Sequence, residues 1–338
     1  MPRLAILTSG GDSPGTNAAI ESAVRHADRL GLQTLGVRSG FAGLAEGELE
    51  TLTPAQVDGI SARGGTVLGT SRDRTVGDRS GRDRILQVIS REGIDGVIVL
   101  GGDGSIRHGA TALEAMGVTC AAIPCTIDND VPGTDRTLGF DTACNRAIAL
   151  ADAIRDTAQA LPGRMFVLET LGGNTGFIAL AVAEAVHADL VLLPEYPLDL
   201  DYGARRMRAA VARQGYALAV ASEGAGDVPS MASYLAEAAG HRVRLTSIGH
   251  AQRGGAPSFL DRWLAERFAA AAVSHLGRDQ GGSASPGSVD AATRSSVGVV
   301  AVCRGYDVEL APLAEVIGGH KQPDHGVFQA LNGLAVQP

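Results

Sequence analysis

Gly101-Gly102-Asp103-Gly104-Ser105 and Thr126-Ile127-Asp128-Asn129-Asp130 each stand where an apolar run of strand length ends. In the first, glycines clear space for a polyphosphate and Asp103 can hold Mg²⁺ directly or through water, while a helix N-cap at Asp103 or Ser105 is the plainer and compatible role. In the second, strand alternation points Asp128 and Asp130 the same way. A carboxylate pair divides labour: one takes the proton of an attacking hydroxyl and the other organises metal. Alone, that stretch ahead of Pro132-Gly133 reads as an Asx-rich turn; the company of the other loops favours chemistry. Gly10-Gly11-Asp12-Ser13-Pro14-Gly15, before a helix near Asn17, suits an anion or equally a tight strand-to-helix turn, and its spacing is neither GxGxxG nor a Walker loop. Gly249-His250-Ala251-Gln252-Arg253-Gly254-Gly255, with Arg244 upstream, adds arginine for planar capture of a phosphate. Together these loops predict phosphoryl transfer.

Elements that position them are legible as continuous apolar runs: Leu4–Leu7, Thr34–Val37, Gly96–Leu100, Cys120–Ile123, Phe166–Leu168, Leu190–Leu193, Ala217–Ala221 and Gly298–Val302. Such runs suit parallel strands covered on both faces. Helices fit between them, over Asn17–Leu30 before Gly31 and over Asp141–Thr157. The pattern is doubly wound α/β, in two such units, and ligands of open α/β sheets lie beyond the carboxyl ends of the strands. Gly277–Ser288, rich in Gly and Ser, reads as a solvent loop, and the stretch after Gly319 as an interface or a frayed end.

Composition limits the function classes. At 338 residues the chain can hold two cores, and 45% hydrophobic with 20% charged residues is ordinary for a soluble globular protein. A net charge of -8 argues against a general nucleic-acid surface. Cys120, Cys125, Cys144 and Cys303 lack CxxC spacing, so free thiols in a reducing cytoplasm are expected, without disulfide or zinc. With no leader-like segment and no apolar stretch of bilayer length, the expectation is a cytoplasmic protein without a membrane span.

Thr8-Ser9-Gly10-Gly11-Asp12, Arg63-Gly64-Gly65-Thr66, Gly101–Ser105, Thr126–Asp130, Gly139-Phe140-Asp141-Thr142-Ala143 and Gly249–Gly255 resemble, in order, the successive motifs of the 6-phosphofructokinase family. The resemblance implies two Rossmann-like domains: nucleotide-binding over 1–138 plus 251–303, and sugar-phosphate-binding over 139–250 plus 304–338. It also implies Mg²⁺ with a phosphoryl donor, fructose 6-phosphate as acceptor, and a homotetramer with shared active sites. By position, Asp128 is implied as the base for the sugar 1-hydroxyl, with Thr126 beside it and Asp130 supporting metal and phosphates. Asp103 is implied for the metal; Gly11, Arg72, Gly102, Gly104 and Ser105 for the nucleotide, with Arg72 on the transferring phosphate. Leu171, Gly172, Gly173, Glu223, His250 and Arg253 are implied for the sugar, and Arg164 and Arg244 for its 6-phosphate across a subunit interface.

The chain departs from the family in four places. Gly104 stands where pyrophosphate-dependent members carry Asp, which favours ATP; Cys125 stands where ATP users carry Gly and pyrophosphate users Lys, and is closer to Gly in size and charge. Leu171-Gly172-Gly173 occupies a Met-Gly-Arg site, so Gly173 removes an arginine whose role can carry about 10³ to 10⁵ in rate. Arg74 and Arg107 are candidate replacements. Glu21 and Pro54 replace arginines of the family's effector cleft while Arg25 and Arg155 remain, which predicts weak control by ADP or phosphoenolpyruvate. The expected activity is ATP-dependent phosphorylation of fructose 6-phosphate. The alternatives are a paralogue acting on another sugar phosphate such as sedoheptulose 7-phosphate or using pyrophosphate, and a weakly catalytic regulatory subunit.

Overall fold

The structure, a computed structural model, describes residues 1–72, 74–278 and 297–334. It divides into two compact units, Met1–Asp141 with Arg253–Lys321, and Thr142–Gln252 with Gln322–Pro338. The chain opens with β1 (Arg3–Ser9), α1 (Thr16–Arg29), β2 (Gln33–Val37), α2 (Gly40–Glu46), β3 (Leu49–Leu52) and α3 (Arg79–Glu92). There follow β4 (Gly96–Gly101), a π-helical segment Ser105–Ala110 leading into α4 (Thr111–Ala115), β5 (Cys120–Thr126) and β6 (Leu138–Gly139). Helix α5 (Phe140–Ala160) leads into the second unit, with β7 (Arg164–Thr170), α6 (Phe177–Ala185), β8 (Leu190–Leu192), α7 (Leu200–Gln214), β9 (Tyr216–Ser222), α8 (Val228–Ala239) and β10 (Arg242–Ser247). The first unit resumes with α9 (Phe259–Arg278), β11 (Gly298–Arg304) and β12 (Asp307–Pro312).

In the first unit the sheet order is β12-β11-β5-β4-β1-β2-β3, with β6 beside β5. All neighbours are parallel except β2 with β3 and β11 with β12. Side chains alternate between two cores as the strand period requires. Leu4 and Ile6, Ile98 and Leu100, and Ala121 and Ile123 face the core shared with α1 and α9, through Ala19, Ile20, Leu264 and Phe268. Ala5 and Leu7, Val97 and Val99, and Cys120 and Ala122 face the core shared with Phe41, Leu44, Ile85, Val88 and Leu113. Burial on both faces explains why these strands read as unbroken apolar runs.

The second unit carries a four-stranded parallel sheet, β10-β7-β9-β8. Met165, Val167, Ala217 and Ala219 pack with Met207 and Val211 of α7 and with Ala232 and Leu235 of α8. Helix α7 starts at Asp199, which accepts from the Asp201 amide at 3.0 Å; α8 starts at Asp227, which accepts from the Ser230 amide at 3.2 Å. The described residues after Lys321, up to Leu334, pack within the second unit. Helix His325–Leu331 is followed by Asn332, fully buried and paired with the Val191 backbone through both its amide atoms at 3.0 Å.

Several sequence expectations change. Edge strands β3, β10 and β12 were not legible because their residues are half exposed and polar, as edges generally are. Pairing of β12 with β11 keeps residues 304–321 with the first unit, whereas the sequence reading set them with the sugar-phosphate domain. Gly277 continues α9, and residues 279–288 of the expected loop lie outside the described residues. All four cysteines are buried and outside any disulfide, and among the described residues no helix is long and apolar enough to cross a membrane.

Phe268 is fully buried between α9 and the first sheet. Phe268→Ala is expected to cost about 3–5 kcal/mol. Urea unfolding checks this, with a lower midpoint at unchanged slope as the expected result.

Candidate active site

The order β5-β4-β1-β2 contains a switch point, since the chain leaves β1 toward β2 on one side and returns through β4 on the other. Parallel pairing brings Ser9 opposite Gly101 and Gly101 opposite Pro124, so the loops after β1, β4 and β5 emerge side by side. They line one cavity of about 390 Å³, with Gly10, Gly11, Arg72, Gly102–Ser105, Thr126, Asp128, Asp130 and Arg253 in its wall. The cavity belongs wholly to the first unit.

Glycine acts here by letting other groups come close. A Cβ on Gly11 would lie 2.7 Å from Arg253 Nη1 and 3.2 Å from Arg72 Nη2, so glycine lets both guanidinium groups rest against this backbone, and a larger residue would push their flexible ends aside. Arg253 Nη1 also donates to the Asp12 carbonyl at 3.3 Å. A Cβ on Gly104 would meet nothing within 4 Å, which leaves open space in the cavity wall where pyrophosphate-type members carry Asp. Ser105 Oγ donates toward the Ser9 carbonyl and the Ser9 hydroxyl, each at 3.0 Å, and ties the β4 loop to β1.

Asp103 and Ser105 do not act as caps, contrary to the plainer sequence reading: the segment Ser105–Ala110 has no side-chain cap, and Asp103 is taken by Arg107. Arg107 Nε lies 2.7 Å from both Asp103 oxygens, one helical turn away. Its other nitrogens donate to the Ile317 and Gly319 carbonyls. Arg74 instead lines an adjoining cavity of about 540 Å³ with Arg82, Arg107, His108 and Thr111.

After β5, Thr126 is buried and its hydroxyl accepts from the Asp128 amide at 3.1 Å. Asn129 adopts φ 55°, a left-handed conformation that Asn tolerates, and bridges the loop by donating to the Asp135 carbonyl at 3.1 Å and accepting from the Thr137 amide at 3.1 Å. This turn carries Asp128 and Asp130 into the cavity wall together. Asp130 Oδ1 is buried without a hydrogen-bond partner. Burial, then the charges of Asp128 and Asp103, push the Asp130 carboxyl up to about 6, with Lys321 opposing the shift. Cys125 also touches the cavity but is 2% exposed; its thiol lies 3.0 Å from Thr16 Oγ1, and burial pushes it up to about 12, so it is neutral.

No cluster of three or more His, Cys, Asp or Glu residues is placed to hold a metal by itself among the described residues. Mg²⁺ does not need one, because it commonly takes one or two carboxylates and completes its octahedron with phosphate oxygens and water. Asp103 beside the open glycine loop, with the buried orphan oxygen of Asp130 in the same wall, fits that donor set.

In the second unit Leu171, Gly172 and Gly173 follow β7. Gly173 has φ 58°, and Glu223 Oε1 accepts from the Gly172 and Gly173 amides at 3.2 and 2.8 Å. Glu195 holds the same loop by accepting from the Gly176 amide at 2.9 Å. Gln252, fully buried, accepts from the Leu171 amide at 2.7 Å and donates to the Ala143 carbonyl at 3.2 Å, beside His250 on the 3₁₀ turn Gly249–Arg253. Glu195 and Gln252 were missed in the sequence, where neither type nor spacing separates them from ordinary polar residues. Arg164 and Arg244 lie on neighbouring strands β7 and β10. Neither makes an ion pair among the described residues. Arg253, grouped from sequence with the sugar contacts, belongs to the first unit beside Arg72.

The chain belongs to the phosphofructokinase family, whose model, described as "Phosphofructokinase", matches residues 3–276. It is 42% identical over 83% of its length to an ATP-dependent 6-phosphofructokinase of Bacillus cytotoxicus, covering 88% of that protein. It is 38% identical over 99% of its length to ATP-dependent 6-phosphofructokinase 1 of Thermus thermophilus, covering 100% of it. Among solved structures it resembles phosphofructokinase of Pichia pastoris in the T-state, with TM-score 0.84 and 29% identity over 94% of this chain, and spans 35% of that longer chain.

Carboxyl-resolved NMR titration is expected to show Asp130 with a midpoint near 6. In Asp128→Asn the midpoint moves down, because one repelling charge is gone, yet stays above an ordinary aspartate because burial remains.

Proposed function

We propose that the protein is an ATP-dependent 6-phosphofructokinase, transferring the γ-phosphoryl group of ATP to the 1-hydroxyl of fructose 6-phosphate and releasing fructose 1,6-bisphosphate and ADP. The observation that carries this reading is the meeting of Asp128 and Asp130 with the glycine loops and two arginines in one cavity wall. Relatives that it matches over most of their length bear that name.

In this reading Asp128 takes the proton of the sugar hydroxyl as it attacks, with Thr126 fixing the turn through the Asp128 amide. Arg72 and Arg253, converging on Gly11, face the transferring phosphoryl group, and the Gly11 amide donates to it. Two guanidinium groups there supply charge that Gly173 does not. Mg²⁺ would be held by Asp103 with support from Asp130, and when bound it neutralises phosphate charge. Gly102, Gly104 and Ser105 border the polyphosphate, and the adjoining cavity lined by Arg82, His108 and Thr111 has room for the nucleoside. The open space at Gly104 and the neutral thiol of Cys125 support ATP over pyrophosphate. Glu223, His250 and the Leu171–Gly173 loop bind the sugar, and Arg164 and Arg244 bind the 6-phosphate of a neighbouring protomer in a homotetramer.

Effector control is proposed to be weak. Arg25 is held by Glu21 at 3.0 Å and by Asp58 at 2.6 Å, and Glu21 also accepts from the Ser61 amide, so carboxylates of the chain already occupy this guanidinium.

Initial rates with ATP or pyrophosphate against a panel of sugar phosphates test the assignment. ATP with fructose 6-phosphate is expected to turn over fastest, and Asp128→Asn to lose about 10²- to 10⁴-fold in kcat while fructose 6-phosphate binding persists in calorimetry. Preference for another sugar phosphate, or for pyrophosphate, would replace the assignment. Millimolar ADP or phosphoenolpyruvate is expected to leave the half-saturating sugar concentration within about twofold; a shift of tenfold, about 1.4 kcal/mol of coupling, would refute weak control.

A further inference from the structure

Lys321 is the single lysine of the chain, against twenty-eight arginines. It lies in the short stretch after helix Leu313–Ile317, within the first unit, and that stretch packs against the loop that follows β5. A Cβ on Gly319 would come within 2.8 Å of Pro132 Cβ, and one on Gly133 within 3.5 Å of Val316 Cγ2. Lys321 Nζ donates to the Asp135 carbonyl at 3.2 Å, the same oxygen that Asn129 Nδ2 reaches at 3.1 Å. Lysine and Asn129 therefore share one acceptor in the turn that holds Asp128 and Asp130. Arg107 ties the same stretch to the other carboxylate, gripping Asp103 while donating to the Ile317 and Gly319 carbonyls.

The charges facing this point come from three elements. Asp130 faces Asp128 on its own loop, Asp103 from the loop after β4, and Lys321; Lys321 in turn faces Asp135 and Asp130. Burial pulls the Lys321 ammonium down to about 8, against those two carboxylates.

We propose that Lys321 is a positioning residue for phosphoryl transfer, whose ammonium holds the Asp128–Asp130 turn in place and offsets acidic charge that a nucleoside triphosphate would otherwise meet. The proposal rests on the kinase reading above. It adds a group from the far end of the chain to the reacting site.

The test compares Lys321→Met, which keeps the stem and removes the charge, with Lys321→Arg, which keeps the charge. The methionine variant is expected to lose about tenfold or more in kcat at saturating ATP and sugar with its thermal midpoint within a few degrees of wild type, and the arginine variant to regain most of that loss. Methionine variant kinetics equal to wild type would overturn the proposal. If both variants unfold, acylation of folded wild type by an N-hydroxysuccinimidyl acetate decides. The lysine nitrogen attacks the ester carbon, an amide bond forms as the ester C–O bond breaks, N-hydroxysuccinimide leaves and the amine proton passes to water. The N-terminus offers the one other amine, so peptide mass spectrometry follows Lys321 directly. Expected are protection of Lys321 by Mg-ATP and loss of turnover in step with its labelling; full labelling with full turnover would overturn the proposal. Because the mass readout needs no turnover, a wild type inactive on every sugar phosphate would refute the kinase reading, while unprotected Lys321 in an active wild type would refute this one.

Discussion

Charge balance at the carboxyl edge of β1, β4 and β5 is the constraint on which the rest depends. Asp103, Asp128 and Asp130 line one cavity of about 390 Å³ that is proposed to receive a polyanion. Burial, and then their mutual repulsion, already push the Asp130 carboxyl up to about 6. An acidic wall of this kind persists only where cations are fixed against it, since a buried unpaired charge costs several kcal/mol. Arg107 on Asp103, Lys321 beside Asp130, and Arg72 with Arg253 over Gly11 are those cations. They come from four parts of the chain, and the fold exists in part to bring them together.

The sheet supplies the rigidity that this balance needs. Parallel register sets the ends of three adjacent strands level, and double-sided burial holds each strand against sliding, because a one-residue slip would reverse every side chain between the two cores. The loops can then be short and built from glycine, with a few side-chain ties such as Ser105 to Ser9 and Asn129 to Asp135 holding them. The loop after β7 in the second unit is held differently. Its glycines present amides to Glu223 and Glu195, so carboxylates fix the backbone where the family pattern has a cationic side chain.

Membership of the phosphofructokinase family sharpens the meaning of these departures. Gly173 in a left-handed conformation is not a simple deletion of an arginine side chain, because a non-glycine residue at φ 58° would cost roughly 1–2 kcal/mol. The loop has its own geometry. Cys125, closer to Gly than to Lys in size and charge, is a buried thiol beside Thr16 and adds no charge to the cavity.

By itself the sequence determined the doubly wound class, the positions of the central strands and the loops that carry Gly11, Asp103, Asp128 and Asp130, because double-sided burial writes continuous apolar runs and strand ends are where polar and glycine residues must follow. It left unread the edge strands β3, β10 and β12, whose half-exposed residues carry no such run. Tertiary structure alone decided that Asp103 is paired rather than capping, that Arg253 stands with Arg72 over Gly11, that Gln252 joins Leu171 to Ala143, and that Lys321 reaches the Asp130 turn. The reason is physical: each of these pairings but the first joins residues far apart in sequence, and the first was hidden because Arg107 chooses between a helix neighbour and a phosphate only once the carbonyls of Ile317 and Gly319 fix its other nitrogens.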